Sequence, residues 1–338
     1  MVLRFSSLGD VAMTVPVIRL LLQQYPHLEV TMVSTEFVRP LFNNIDRLEF
    51  YAADIKGKHN GIGGLYKLSK ELKNLHSFVG VADLHNVIRT KILRTSFFFT
   101  TAPVAAIDKG RKEKKELTRR HHKQLRQLKS TFQRYADVFD SLGFPVQLNT
   151  LEGIQKPIPL PEVLQWRLQG MRVIGMAPFA LHQEKTYPPA KMKEVIRLLE
   201  KDNRYKIFLF GSPGDAVVLG QWQDEFKNVQ SLAGKLNLKN ELHFISNLDV
   251  MVSMDSANMH FASLYGVPVI SIWGGTHPYL GFYGWGQSPQ NAVQVDLECR
   301  PSSVFGNKEC PRDDLACMNL ISPITVYDRI IQQLNFKS

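Results

Sequence analysis

Short apolar runs of strand length alternate with stretches of helical period along the 338-residue chain. The clearest instance spans residues 248–275. Residues 250–254 and 267–273 are two such runs, the second rich in β-branched residues, and between them lie a helical stretch and Gly266, a residue suited to a helix C-terminus. This pattern is a β-helix-β crossover. Upstream, the same alternation predicts strands at 172–178, 206–210 and 229–232 and helices at 190–201, 215–226 and 239–245, which together describe a parallel, doubly wound sheet. The first half predicts a strand at 2–5, a turn from Ser6 to Asp10, a helix from about 11 to 24 with Pro16 in its early turns, and a strand at 28–34. A loop at 56–64, helix 65–75, strand 78–82, helix 87–94, strand 104–107 and an amphipathic helix at 131–142 follow.

Pro145, Pro157, Pro159 and Pro161 interrupt an aperiodic stretch at 144–161 and mark it as a linker. Two domains follow, 1–150 and 151–322, with a last helix at 323–334 expected to pack back across the cleft between them.

Loops at the carboxyl ends of parallel strands are where such sheets bind ligands. In the second half these loops bring Lys185, Asp215, Leu236 and Asp255. Asp255, Ser256 and Ala257 stand where strand 250–254 gives way to a helix, so a capping side chain and orphan amides face the sheet edge, a setting suited to phosphate. His260 lies within a turn and a half of the same end. Asp255 reads equally as a plain N-cap, and His260 as a satisfied helix residue. In the first half Asp10 follows the opening strand, placed either to serve as a general base or to cap the next helix. The opening turn has Gly9 but no G-x-G-x-x-G, which disfavours a nicotinamide dehydrogenase.

The composition, 44% hydrophobic and 21% charged, is that of an ordinary soluble globular protein. No apolar run reaches the roughly 20 residues of a membrane helix, and Arg4, Asp10 and Pro16 break up any signal-peptide core. Three cysteines, Cys299, Cys310 and Cys317, fit a reducing cytoplasm; their spacing lacks the paired C-x2-C of structural zinc sites, and no Asp-x-Asp pair stands ready for a divalent ion. The net charge is +10, and residues 1–150, with 23 Lys and Arg against 13 Asp and Glu, hold all of it. A half of that charge is drawn to a polyanion or a phosphorylated substrate. Its most basic piece, 109–126, reads either as a solvated face or as a grip on an anionic acceptor, without the interleaved aromatics of a single-strand binder.

Arg4-Phe5-Ser6-Ser7-Leu8-Gly9-Asp10-Val11 with Thr14-Val15-Pro16, and Asp255-Ser256-Ala257 with His260, Gly266, Pro268 and Gly274, resemble the two signatures of the ADP-heptose:lipopolysaccharide heptosyltransferases, glycosyltransferase family 9. Lys185 before Tyr187-Pro188 keeps the expected order between them. The resemblance implies an α/β GT-B fold, two Rossmann-like domains facing a central cleft. It also implies metal-independent, inverting transfer of a heptose from ADP-heptose to a lipid A-linked core sugar, on the cytoplasmic side of the inner membrane. Asp10 then stands for the base and Lys185 for the phosphate-binding lysine; Asp215, Leu236, Asp255, Ser256, Ala257 and His260 stand for the donor site, and Arg89, Arg120 and Arg134 for acceptor contacts. A GT-B-type nucleotide-sugar epimerase and a non-catalytic glycolipid-binding protein are the competing expectations, and nucleic acid is not an expected partner.

Overall fold

The computed structural model describes residues 1–97, 100–159 and 171–335. The chain divides into two compact units, Met1–Gly110 with Lys129–Gly153, and Arg111–Leu128 with Ile154–Ser338. In the first, strands β1 (Val2–Leu3), β2 (Val30–Ser34), β3 (Leu48–Ala52), β4 (Val81–Asp83) and β5 (Val104–Ala106) form one sheet in the order β3-β2-β1-β4-β5. All its pairings are parallel. Its helices are α1 (Leu8–Ala12), α2 (Thr14–Gln24), α3 (Gly61–Leu75), α4 (Ile88–Thr95) and, from the returning segment, α6 (Thr131–Asp140); α5 (Arg111–Leu117) belongs to the second unit. The expected helix at 11–24 is two helices that meet at Met13, and Pro16 falls in the first turn of the second, where the N–H it lacks has no intrahelical partner to lose. Strand β3, a half-buried edge strand, is not among the expected elements although four of its five residues are apolar.

The second unit contains β6 (Arg172–Ala177), α7 (Pro189–Glu200), β7 (Tyr205–Leu209), α8 (Ala216–Glu225), β8 (Val229–Ser231), α9 (Leu238–Ile245), β9 (Val250–Met254), α10 (Ala257–Leu264), β10 (Val269–Ile272) and β11 (Ala292–Val293), then α11 (Ala316–Asn319) and α12 (Pro323–Asn335). Its six-stranded sheet runs β11-β10-β9-β6-β7-β8, parallel throughout. Every residue of β9 and β10 is buried, as strands covered by helices on both faces must be, which is why they read as unbroken apolar runs. Gly266 takes φ +66° after α10; its N–H donates to Ser263 and that of Val267 to Ala262, a Schellman closure that turns the chain into β10.

Two expectations about organisation change. Residues 111–128 leave the first unit and dock on the second through Leu117 and Leu128 beside Leu280. That segment has eight Lys and Arg against two Glu, so most of the excess positive charge lies on the second unit rather than on the first. Helix α12, expected across the cleft, instead buries Val326, Ile330 and Leu334 in the second unit's own core with Val195 and Leu199 of α7. The expected linker ends at Leu160 and Pro161, outside the described residues. No helix among the described residues is long and apolar enough to cross a membrane.

Candidate functional site

The loops after β6, β9 and β10 meet around one buried ion pair. Lys185 Nζ lies 2.9 Å from Asp255 Oδ2, with 15% and 9% of the two side chains exposed. The hydroxyl of Thr276 donates to the same Oδ2 at 2.9 Å. Asp255 is therefore not a helix cap: its carboxylate turns away from α10 to a lysine and a threonine. The N-cap is Ser256, and its Oγ bonds to Ser253 Oγ at 3.0 Å instead of to an amide of the helix. The first turn of α10 begins at Ala257 with no side chain capping it, which leaves its orphan amides and the positive end of the helix dipole for a ligand. His260, one turn on, is 7% exposed.

Residues that showed no pattern in the sequence hold this arrangement together. The Arg300 guanidinium, buried, donates to the carbonyls of Trp273, Gly274 and Thr276 at 3.2, 2.6 and 3.0 Å, and to Val295 and the Gln294 side chain. A planar fork with five donors is the one side chain able to serve so many acceptors at once. Gly275 N–H donates to Glu184, which ties the lysine's turn to the same loop. Residues 302–307 close over it: Ser302 and Ser303 donate from their amides to Gly275, Gly306 N–H donates to Ser303 Oγ, and Gly306 at φ +75° lies so close to Lys185 that a Cβ there would be 2.3 Å from its Cδ. Only the glycine pair at 274–275 hinted at this close packing in the sequence.

In the first unit, Asp10 is the third residue of α1 and Ser7 the N-cap, so the capping expectation for Asp10 fails. Its Oδ2 lies 2.6 Å from the Arg4 guanidinium and accepts from Ser7 Oγ at 2.7 Å. Arg4 is buried, donates also to the Leu84 carbonyl, and sits over the ring of Tyr135, whose hydroxyl donates to the Asp10 carbonyl at 3.1 Å. A quarter of the Asp10 side chain remains exposed. His85 follows β4 beside Ser6, with its Nε2 3.4 Å from Ser6 Oγ. Burial, then the positive charges of Arg4 and Lys109, push its pKa down to about 3 against a smaller opposing pull from Asp10, so its imidazole is neutral near pH 7. The Arg89 charge acts on it in the same direction as Lys109.

The remaining candidates divide. Arg89, on α4, is half-buried near His85. Arg120 is exposed beyond α5 on the second unit, not on the first with Asp10. Arg134 is 4% exposed, and its guanidinium donates to the carbonyls of Lys129 and Asp108 at 3.2 Å each while pressing on Gly110. It braces the chain where residues 111–128 depart and return. Asp215 takes the amide and hydroxyl of Ser212 on Oδ2, a capping box of its own turn. Leu236 is half-buried in the turn before α9. That turn and the one carrying Asp215 touch: a Cβ at Gly234 would lie 3.1 Å from Pro213 Cα.

The sequence matches the profile of glycosyltransferase family 9 (heptosyltransferase) over residues 87–311. Lipooligosaccharide heptosyltransferase 2 of Campylobacter jejuni is 28% identical over 102 residues, 30% of this chain and 31% of that protein, so the alignment spans about a third of the relative. Among solved structures, a family 9 glycosyl transferase from Veillonella parvula superposes with a TM-score of 0.72 at 18% identity, covering 100% of this chain and 97% of the other. The Escherichia coli heptosyltransferase WaaC with ADP superposes with 0.67 at 18% identity, covering 98% of each. At such identities the superpositions speak for the fold, two parallel-sheet α/β units of the GT-B kind. With the profile extending over most of the chain, this protein belongs to glycosyltransferase family 9.

Proposed function

We propose that the protein transfers a heptose from ADP-heptose to a lipid A-linked core sugar of lipopolysaccharide by an inverting, metal-independent displacement. The observation that carries this reading is the pairing of Lys185 with Asp255 beside the uncapped first turn of α10. An ammonium has three donors, and its pairing with Asp255 leaves it donors for a phosphate oxygen. The helix amides supply further donors to the same anion, so the leaving diphosphate is stabilised by a lysine, backbone N–H groups and the helix dipole. Asp255 and Thr276 set where that ammonium sits.

Inversion by a single displacement needs one base on the acceptor hydroxyl. Asp10 is the candidate: a carboxylate at the end of β1, partly exposed, with Arg4 and Ser7 fixing Oδ2. The Arg4 contact favours the ionised form, which is the form that accepts a proton. His85, neutral beside Ser6, can donate a hydrogen bond to an acceptor without adding charge. Asp215, Leu236, Ala257 and His260 complete the donor side and Arg89 and Arg120 the acceptor side. A lipid-linked acceptor has to be met at a membrane face, which makes the enzyme peripheral there.

Thermal shifts with ADP, UDP and GDP, followed by ADP release from ADP-heptose with and without a lipid A-core acceptor, test the proposal. Asp10→Ala is expected to keep ADP affinity and lose transfer by a factor of 100 or more, within the range for a general base. Lys185→Ala is expected to weaken ADP binding about 10- to 100-fold. A fully active Asp10→Ala enzyme, or acceptor-independent turnover at the parent rate, refutes it.

A further inference from the structure

Residues 111–128 carry more positive charge than their docking uses. Of eight Lys and Arg, two are engaged in seating the segment. Lys114 is buried with its ammonium 4.1 Å over the Phe282 ring, and Lys123 donates to the carbonyls of Cys299 and Pro301 at 2.8 and 3.0 Å. The other six, Arg111, Lys112, Lys115, Arg119, Arg120 and Arg126, are exposed, and no ion pair among the described residues neutralises any of them. Elsewhere on this unit, among the described residues, exposed Arg197 pairs with Glu194 and Glu225, Arg204 with Asp202 and Arg312 with Asp314, and exposed lysines without an acid, such as Lys201, Lys227 and Lys308, are scattered along the sequence rather than gathered on one segment. Six like charges on one segment of 18 residues, against Glu113 and Glu116, repel one another wherever they come within a Debye length of about 10 Å. Such a surface is relieved by an external polyanion.

Bulky apolar groups border the same seam. Leu125, between the anchor Lys123 and Arg126, is 49% exposed. Phe305 is 58% exposed, four residues beyond Pro301, with its ring 5.9 Å from that of Phe282. Tyr279 is 37% exposed, and its carbonyl receives the Leu128 amide. Unpaired cations interspersed with exposed leucine and aromatic side chains have the chemistry of an interfacial surface: the cations meet lipid phosphates while the apolar groups enter the headgroup boundary. A single-strand nucleic acid binder would instead place several aromatic stacking platforms among its cations, and residues 111–128 contain no aromatic ring of Phe, Tyr or Trp.

We infer that residues 111–128, with Leu125, Phe305 and Tyr279, form a docking surface for an anionic phospholipid bilayer. The inference rests on the proposed function only for its purpose, bringing the enzyme to a lipid-linked acceptor; vesicle binding is measured without substrate, so either can fail alone.

The test is co-sedimentation of the full chain with vesicles of equimolar phosphatidylglycerol and phosphatidylcholine, and with phosphatidylcholine alone, at low and high salt. The parent is expected to partition onto the anionic vesicles, to ignore the neutral ones and to be released by salt. The triple variant Lys112→Glu, Lys115→Glu and Arg126→Glu is expected to lose on the order of 100-fold in partitioning, since each cation near such a surface is worth about fivefold. Its thermal shift with ADP should match the parent's, which shows that it folds. Leu125→Ala with Phe305→Ala should lose about tenfold and keep the salt dependence. Equal binding to both vesicle types, parent-like binding by the triple variant, or tighter capture of a single-stranded oligonucleotide than of anionic vesicles at the same salt overturns the inference.

Discussion

Gly306→Ala tests the cover over Lys185. At φ +75° an alanine carries the left-handed strain of about 1–2 kcal/mol. Its Cβ would also stand 2.3 and 2.4 Å from Cδ and Cγ of Lys185, so the flexible lysine stem has to give way. Moving the ammonium off Asp255, a residue only 7% exposed, deprives a buried carboxylate of a partner at a further cost of about 1–3 kcal/mol. The sum, about 2–5 kcal/mol, lowers the melting temperature by roughly 5–15 °C for a unit of this size. Because the displaced group is the proposed diphosphate grip, ADP affinity should fall about tenfold or more. Differential scanning fluorimetry and an ADP titration read the two effects separately. Gly306→Asn separates the causes, since asparagine tolerates the left-handed region but still has a Cβ: it should regain part of the melting temperature while ADP affinity stays low. An alanine variant that binds ADP like the parent would refute the claim that Gly306 sets the position of Lys185.

Three further outcomes follow from the same geometry. Thr276→Val removes the hydroxyl that donates to buried Asp255, costing about 1–3 kcal/mol and weakening ADP binding, and Thr276→Ser restores both; chemical denaturation and calorimetric titration check this. Arg134→Met removes the buried guanidinium that ties the carbonyls of Asp108 and Lys129 together and should destabilise the protein by about 1–3 kcal/mol with no change in the KM for the acceptor, the reverse of an acceptor contact. His85 and His277, held by burial at about 3 and 4, stay neutral when folded while the unfolded chain protonates near 6.5, so their contribution is complete above that pH and is lost as pH falls. Each costs about 2 kcal/mol at pH 5, and in urea melts across pH His85→Asn should flatten the acid limb.

The parallel sheet of the second unit and its crossover were legible because their signals are local. An all-apolar strand such as β9, a turn, a helix of 3.6 period and a glycine at its end each depend on neighbours a few residues away. The same holds for the family signatures, which single out Asp10, Asp255 and His260 by short-range motifs, with Lys185 in the expected order between them. What neighbouring residues do not encode is where a side chain turns. Asp255 could have capped α10, and only the fold, by bringing Lys185 from 70 residues upstream and Thr276 from 21 downstream, decides that it binds those two instead.

Charge shows the limit most clearly. Composition places the basic excess in the first 150 residues, and it is there in sequence, but Leu117, Lys114, Lys123 and Leu128 fasten 111–128 to the second unit, so the excess resides on the other body in space. Arg134, on a helix whose sequence looks simply amphipathic, is closed in by Gly110, and Arg300, in a stretch with no period at all, gathers five acceptors contributed by two separate segments. Periodicity reports which face of an element is buried. Which other element buries it, and which buried polar groups must then find partners across the fold, is settled only when the distant parts of the chain meet.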